Sequence, residues 1–284
     1  MGKNHWDISK KTCLITGANS GIGKATAIGL ARKNAHIIIA CRNTIRGEEA
    51  VQEIKEKSEN EKIDLMIVDL ASLDSIYSFA EEFKNKYDRL DILINNAGVH
   101  LFKRKETIDG FEENFFVNFL APFLLTNLLL DLLQKSVPSR VINVSSMAHS
   151  SCIDFKDLQS EKNYNAYGAY ALSKLANILF TFRFAELLKN SGVTANCLHP
   201  GVINTKLLRE GFGYIGGDLK TGAKIPVFLA SSKDIDGVTG KFYVNGFKDL
   251  IPKEGRAAEI AYDKDVQESL WEQSNKLVGL KSSV

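Results

Sequence analysis

Six short, near-continuous apolar runs recur along the chain: TCLIT (residues 12–16), HIIIA (36–40), IDLMIV (63–68), DILIN (91–95), RVINVS (140–145) and VTANCLH (193–199). Between them lie longer stretches whose apolar residues return at helical spacing, such as KATAIGLARKN after the first run and the mixed-charge EEAVQEIKEKSENEK of residues 48–62. A strand that is apolar on both alternating faces has to be covered on both. Parallel strands need long crossovers, and helical crossovers supply that cover. The pattern predicts a doubly wound α/β domain of Rossmann type. Its sheet is mostly parallel, its helices lie on both faces, and its ligands bind at the carboxyl ends of the strands.

No Pro/Ser-rich linker, repeat or low-complexity block interrupts the 284 residues, so a single domain over 1–284 is expected. Lys+Arg 36 against Asp+Glu 34 leaves a net charge of +2 with the basic residues scattered, which excludes the footprint of a dedicated nucleic-acid binder. Cys13, Cys41, Cys152 and Cys197 lie far apart and in no CxxC arrangement. Neither a metal site nor a disulfide framework is expected, and a reducing compartment fits. The start, MGKNHWDISKKTC, has no apolar signal core, and Trp6 stands where a myristoylation signal needs Ser or Thr. Apolar stretches fall short of the ~18 residues of a membrane helix. The expectation is a soluble, cytoplasmic protein without a membrane anchor; assembly into a homo-oligomer is left open.

The first apolar run leads into TGANSGIG (16–23), which opens a helix pattern. Gly17, Gly21 and Gly23 are spaced G-x-x-x-G-x-G, not the commoner G-x-G-x-x-G. Glycine permits the tight turn and a close backbone approach to pyrophosphate, and the helix start offers N–H groups and partial positive charge. Gly17, Asn19, Ser20, Gly21, Ile22 and Gly23 are therefore the expected phosphate turn of a dinucleotide site. At the end of the second run, where an NAD site usually presents a carboxylate to the ribose, the chain reads IACRN. Arg42 there suits a 2′-phosphate, so the expected cofactor is NADP(H).

The stretch YNAYGAYALSKLANILF (164–180) carries three tyrosines and one lysine. On a helix, residues four apart lie about 40° apart in azimuth and ~6 Å apart along the axis, so Tyr170 and Lys174 share a face. A free phenol, with a pKa near ~10, exchanges protons poorly at neutral pH, and a nearby ammonium lowers it. The pair makes a general acid/base. Tyr164 and Tyr167 are less well placed and are expected as pocket walls or packing. Ser145 and Ser146 fall just past the fifth run, where the sheet delivers side chains to the ligand crevice.

These signals follow one another in chain order: TGANSGIG, Asp69-Leu70 after the third run, NNAG (95–98) after the fourth, Ser146 after the fifth, YALSK (170–174) and HPG (199–201). Together they resemble the short-chain dehydrogenase/reductase family from about residue 11 to 201. ACRN, INVSSMAH, SKLANILFT and GVTANCLHPG are similar to its retinol dehydrogenase-like branch. The resemblance implies that Tyr170 is the acid/base, and that Lys174 lowers its pKa and holds the nicotinamide ribose. It implies that Ser146, rather than Ser145, hydrogen-bonds the substrate oxygen as charge develops, and that Asn118 holds a water in a proton relay to Lys174. It assigns Asp69 to the adenine amino group, Leu70 and Asn96 to adenosine contacts, and Ile203 and Thr205 to the nicotinamide amide. His199 is expected to be structural, and His149 to line the pocket or pack at the surface.

Residues 201–220, VINTKLLREGFGYIGGDLK after Gly201, mix glycines with Leu207, Leu208, Phe212, Tyr214 and Ile215. A hinged apolar lid is expected there, excluding water from the site. The substrate implied is a lipophilic aldehyde, ketone or alcohol, retinoid-like or steroid-like. Two alternatives are a non-catalytic NADP(H)-binding sensor on the same fold, which has no need of the full Asn118, Ser146, Tyr170 and Lys174 set, and a sugar-nucleotide epimerase or dehydratase, disfavoured by the glycine spacing and one-domain length.

Overall fold

The computed structural model describes residues 6–246 and 251–280. Residues 1–5, on which the reading of the N-terminal signal largely rests, lie outside the described residues. The strands are β1 (Thr12–Thr16), β2 (His36–Cys41), β3 (Ile63–Ile67), β4 (Ile92–Asn95), β5 (Ser139–Val144), β6 (Val193–Leu198), β7 (Lys241–Asn245) and β8 (Pro252–Glu254). Among the described residues they form one eight-stranded sheet of order β3-β2-β1-β4-β5-β6-β7-β8. Pairing is parallel through β7, and β8 adds an antiparallel edge. The six apolar runs became β1 to β6. The sequence reading missed β7 and β8: KFYVN is apolar on only part of its length, and PKE has no strand pattern.

The helices are α1 (Gly21–Ala31), α2 (Thr44–Ser58), α3 (Leu73–Lys86), α4 (Glu113–Phe115), α5 (Ala121–Leu128), α6 (Leu130–Lys135), α7 (Ala166–Leu187), α8 (Lys206–Phe212), α9 (Leu219–Ser231) and α10 (Lys264–Val278). A π-helical turn, Phe116–Leu120, joins α4 to α5. The mixed-charge run expected as one helical face leaves the helix at Ser58, where Glu59 turns left-handed (φ 57°). Asn60 then donates to the carbonyls of Ala31 and Ala35, at 2.9 and 2.8 Å, and ties that end to α1.

Alternation along each strand sorts the apolar residues into two cores. Ile15, Ile37, Ile39, Ile94 and Ile142 pack with α1, α2 and α9 through Leu30, Ile54, Ile225 and Leu229. Leu14, Ile38, Leu93, Val141 and Cys197 face the other way, onto α3, α5, α7 and α10 through Phe83, Phe123, Phe180 and Trp271. In the second core, Phe123 meets Phe180 and Trp271 edge-on at 5.3 and 5.0 Å. The strand order reverses between β1 and β4, which opens a crevice at their carboxyl ends. No helix among the described residues is long and apolar enough to cross a membrane.

Phe123 is fully buried where three helices meet. Phe123→Ala is expected to lower stability by about 3–5 kcal/mol through lost burial and the cavity left behind, measurable by urea denaturation.

Candidate active site

The glycine turn is built by close approach. Gly17 and Gly21 adopt φ of 66° and 58°, and the Gly17 N–H donates to the Ala40 carbonyl at 2.8 Å. A β-carbon on Gly17 would stand 2.9 Å from Ala97 Cα, and one on Gly23 would stand 2.4 Å from Asn96 Nδ2. Asn96 itself donates through Nδ2 to the Thr16 carbonyl at 2.8 Å, while its own N–H reaches Thr16 Oγ1 at 3.0 Å. In this arrangement Asn96 braces the turn from β4. Ser20, at the start of α1, makes no capping bond through its side chain. Ile22 and the buried Ile203 both close on Gly222, and Thr205 Cγ2 lies 3.7 Å from a β-carbon built on Gly21. Thr205 also caps α8, accepting from the Leu208 N–H at 3.1 Å. Asn19 lies in the same turn.

At the other end of the crevice, Arg42 follows β2 and Asp69 follows β3, with Nη1 and Oδ1 3.7 Å apart. Arg42 is 70% exposed, so this ion pair faces solvent. Leu70 beside them is buried.

The residues expected to handle protons converge from three elements. Tyr170 and Lys174 share α7, as the helical spacing predicts. Asn118 lies in the π-helical turn, and a β-carbon built on Gly98 would come within 3.2 Å of Asn118 Oδ1 and 3.5 Å of Lys174 Nζ. Lys174 Nζ donates to the Val144 carbonyl at the end of β5 at 3.0 Å. Ser145 donates to the Lys174 carbonyl at 2.7 Å, whereas Ser146 Oγ accepts from the Ala148 N–H at 3.0 Å and lies near enough to the Tyr170 phenol to favour its ionised form. The two serines are thus separated by task, one fastening the helix and the other meeting the phenol. Asn118 is tied to the loop after β4. It accepts from the Val99 N–H at 2.7 Å and donates to the Val99 carbonyl at 2.9 Å and to Ser173 Oγ at 3.0 Å. Its own carbonyl accepts from Asn177 Nδ2 at 2.6 Å.

Burial dominates the electrostatics. It pushes Tyr170 up to about 12, against the lowering effect of the Ser146 hydrogen bond, and pushes Lys174 down to about 8. The lysine, 5.5 Å from the Tyr170 ring centre, does not by itself reverse the effect of burial on the phenol. Burial likewise takes His199 down to about 4.

Tyr164 precedes α7 rather than belonging to it. Its hydroxyl donates to the Leu101 carbonyl at 2.6 Å and accepts from Asn114 at 2.9 Å, so it is a loop brace. Tyr167 is exposed at the rim and meets Phe212 edge-on at 6.3 Å. His149 is half-buried and packs edge-on against Phe242 at 5.7 Å. Its Nε2 accepts from the Ala258 N–H at 2.9 Å, which leaves Nδ1 to donate to the Ser146 carbonyl at 2.7 Å. No sequence signal pointed to His100, which stands against Tyr170 with ring centres 5.3 Å apart. The segment expected as a lid contains a short helix, α8, ending at Gly213 with φ 69°. Phe212 faces Tyr170 at 5.4 Å. Tyr214 and Ile215 are 65% and 85% exposed and do not line the site as expected.

Comparison with known proteins matches residues 11–212 to the family described as short chain dehydrogenase. Human retinol dehydrogenase 13 is 43% identical over 293 residues, covering 97% of this chain and 86% of that protein. A solved structure from Mycobacterium paratuberculosis superposes with a TM-score of 0.82 at 32% identity, covering 99% of this chain and 98% of its own. A short chain dehydrogenase from Shigella flexneri, solved in complex with NADP, superposes with a TM-score of 0.67 at 25% identity, covering 84% and 98%.

A lysine depressed to about 8 in the fold against 10.5 ordinarily leaves the folded chain with fewer bound protons than the unfolded chain between those values. Its contribution therefore makes stability rise with pH across that window. Urea midpoints followed over the window are expected to move upward for wild type relative to Lys174→Met; a constant difference would count against a buried, titrating lysine.

Proposed function

The chain belongs to the short-chain dehydrogenase family, and on that premise we propose that it transfers a hydride between NADP(H) and a lipophilic aldehyde, ketone or alcohol, within a single dinucleotide-binding and catalytic domain. An oxidoreductase with a nicotinamide cofactor follows from the family itself; the finer reading rests on this chain's residues. The observation that carries it is the convergence of Tyr170, Ser146, Lys174 and Asn118 beside the glycine turn.

The residues present fit the cofactor. The positive φ of Gly17 and Gly21 and the absence of a side-chain cap on α1 leave backbone N–H groups for a diphosphate. Gly17, Asn19, Ser20, Gly21, Ile22 and Gly23 would hold it, with Asp69, Leu70 and Asn96 toward the adenosine and Ile203 and Thr205 toward the nicotinamide. Arg42 would meet a 2′-phosphate as a charge-assisted donor. When bound, the nicotinamide supplies or accepts the hydride. In the reductive direction Tyr170 Oη gives its proton to the substrate oxygen as negative charge develops there. Ser146 Oγ adds a hydrogen bond to the same oxygen. Lys174, held by the Val144 carbonyl, steadies the phenolate left behind and reaches the ribose, and Asn118 fixes the loop next to that lysine.

Residues 201–220 serve as the lid, with Leu207, Leu208 and Phe212 excluding water while the exposed Tyr214 and Ile215 form its outer tip. An apolar cover suits a lipophilic substrate, and the retinol dehydrogenase relative is consistent with one. The described cysteines are unpaired, which suits a reducing compartment such as the cytoplasm.

A spectrophotometric screen of NADPH and NADH against aldehydes, ketones and retinoids tests the reading. Tyr170→Phe is expected to lower kcat by roughly 10²–10⁴-fold while NADPH still binds; retained turnover would remove Tyr170 from the chemistry. Arg42→Asp is expected to shift the kcat/KM ratio toward NADH by about tenfold or more, and an unmoved ratio would defeat the assignment of NADP(H).

A further inference from the structure

His100 sits between the tyrosine and the lid. It lies in the loop after β4, two residues past Gly98, and its ring centre lies 5.3 Å from Tyr170 and 4.5 Å from Phe212. Tyr170 and Phe212 are themselves 5.4 Å apart at 77°, so three rings close on one another at the reacting end of the site. Helix α8 comes this near because residue 211 is glycine: a β-carbon there would stand 2.9 Å from both Cγ and Nδ1 of His100.

Both imidazole nitrogens are buried, and among the described residues neither has a side-chain hydrogen bond. A neutral imidazole carries one donor and one acceptor, and burying them unpaired is unfavourable. Burial holds the ring below its ordinary pKa, so the neutral form is the one present. The polar side chains that hold the flanking residues are committed to backbone: Asn118 to Val99, Asn114 to the Leu101 N–H, and Tyr164 to the Leu101 carbonyl. A phenylalanine would give the same stacking on Phe212 and Tyr170 without stranding two polar atoms. Packing therefore accounts for a ring at position 100 but not for its nitrogens.

We propose that His100 is a specificity-determining residue: with Phe212 moved off it, the imidazole hydrogen-bonds a second oxygen of the substrate. The preferred substrate is then a lipophilic carbonyl or alcohol with a further hydroxyl or keto oxygen within a few bonds of the reacting one. The short ring-to-ring distance to Tyr170 sets that spacing, because the phenol marks where the reacting oxygen lies. Gly213, left-handed and with open space around it, gives α8 a place to pivot. This inference rests on the assignment of Tyr170 as proton donor.

The test measures kcat/KM with NADPH for a plain long-chain methyl ketone and for its α-hydroxy and β-keto counterparts, in wild type, His100→Phe, His100→Gln and Tyr170→Phe. Wild type is expected to favour the oxygenated ketones by about tenfold or more, since a site built to hydrogen-bond an oxygen discriminates against the analogue lacking it. His100→Phe, which keeps the ring stack, is expected to bring that ratio to about one. His100→Gln, which restores a donor and an acceptor, is expected to recover part of it, and it serves as the comparison should the Phe variant fold poorly. Equal wild-type rates on plain and oxygenated ketones, or a ratio unchanged in both His100 variants, would overturn the proposal. In that case loss of turnover in Tyr170→Phe would still support the dehydrogenase reading. If wild type binds NADPH and reduces none of the ketones, that reading and the proposal both fail.

Discussion

The site depends on how α7 is fastened to the end of β5. Two hydrogen bonds do this in opposite directions: Ser145 Oγ donates to the Lys174 carbonyl, and Lys174 Nζ donates to the Val144 carbonyl. They fix the height and rotation of the helix against the sheet, so that Ser146, one residue on, comes near Tyr170. The hydrophobic core supplies the force behind this clamp. Phe180 and Phe184 hold the rest of α7 in the aromatic cluster with Phe123 and Trp271. A long buried helix with a polar active end has little freedom to shift.

The same economy governs the glycine turn. Gly17 and Gly23 lie so close to Ala97 and Asn96 that no side chain fits between them, and Asn96 binds the turn to β4 through two bonds. The loop that follows, Gly98 to Leu101, is held in turn by Asn118, Asn114 and Tyr164. One continuous set of polar side chains therefore connects the glycine turn to Tyr170 and Lys174. His149 adds a connection from the far side, bridging the Ala258 N–H to the Ser146 carbonyl, so the segment after β8 helps to orient the same serine.

Electrostatics in the protein alone favour neutral groups. Burial raises the tyrosine, lowers the lysine and lowers both His100 and His199. In such surroundings an added charge has a large effect, because little water is present to screen it.

The chain order of apolar runs and helical stretches was sufficient to predict the parallel sheet and its two covered faces, because a strand apolar on both sides admits few other environments. Helical spacing alone paired Tyr170 with Lys174, and the glycines after β1 could be read as a tight turn at the carboxyl end of that strand. Tertiary structure decided what local pattern cannot encode. It gave Ser145 and Ser146 different partners, although both are serines past the same strand. It withdrew Tyr164 from the helix to brace Leu101, and made Asn96 a support for a turn 80 residues away. It placed His100 under Phe212, a contact possible only because Gly211 lets two distant segments touch. Spacing along one element follows from backbone geometry and can be read in sequence; which residue meets which across elements depends on packing, and only the folded chain settles it.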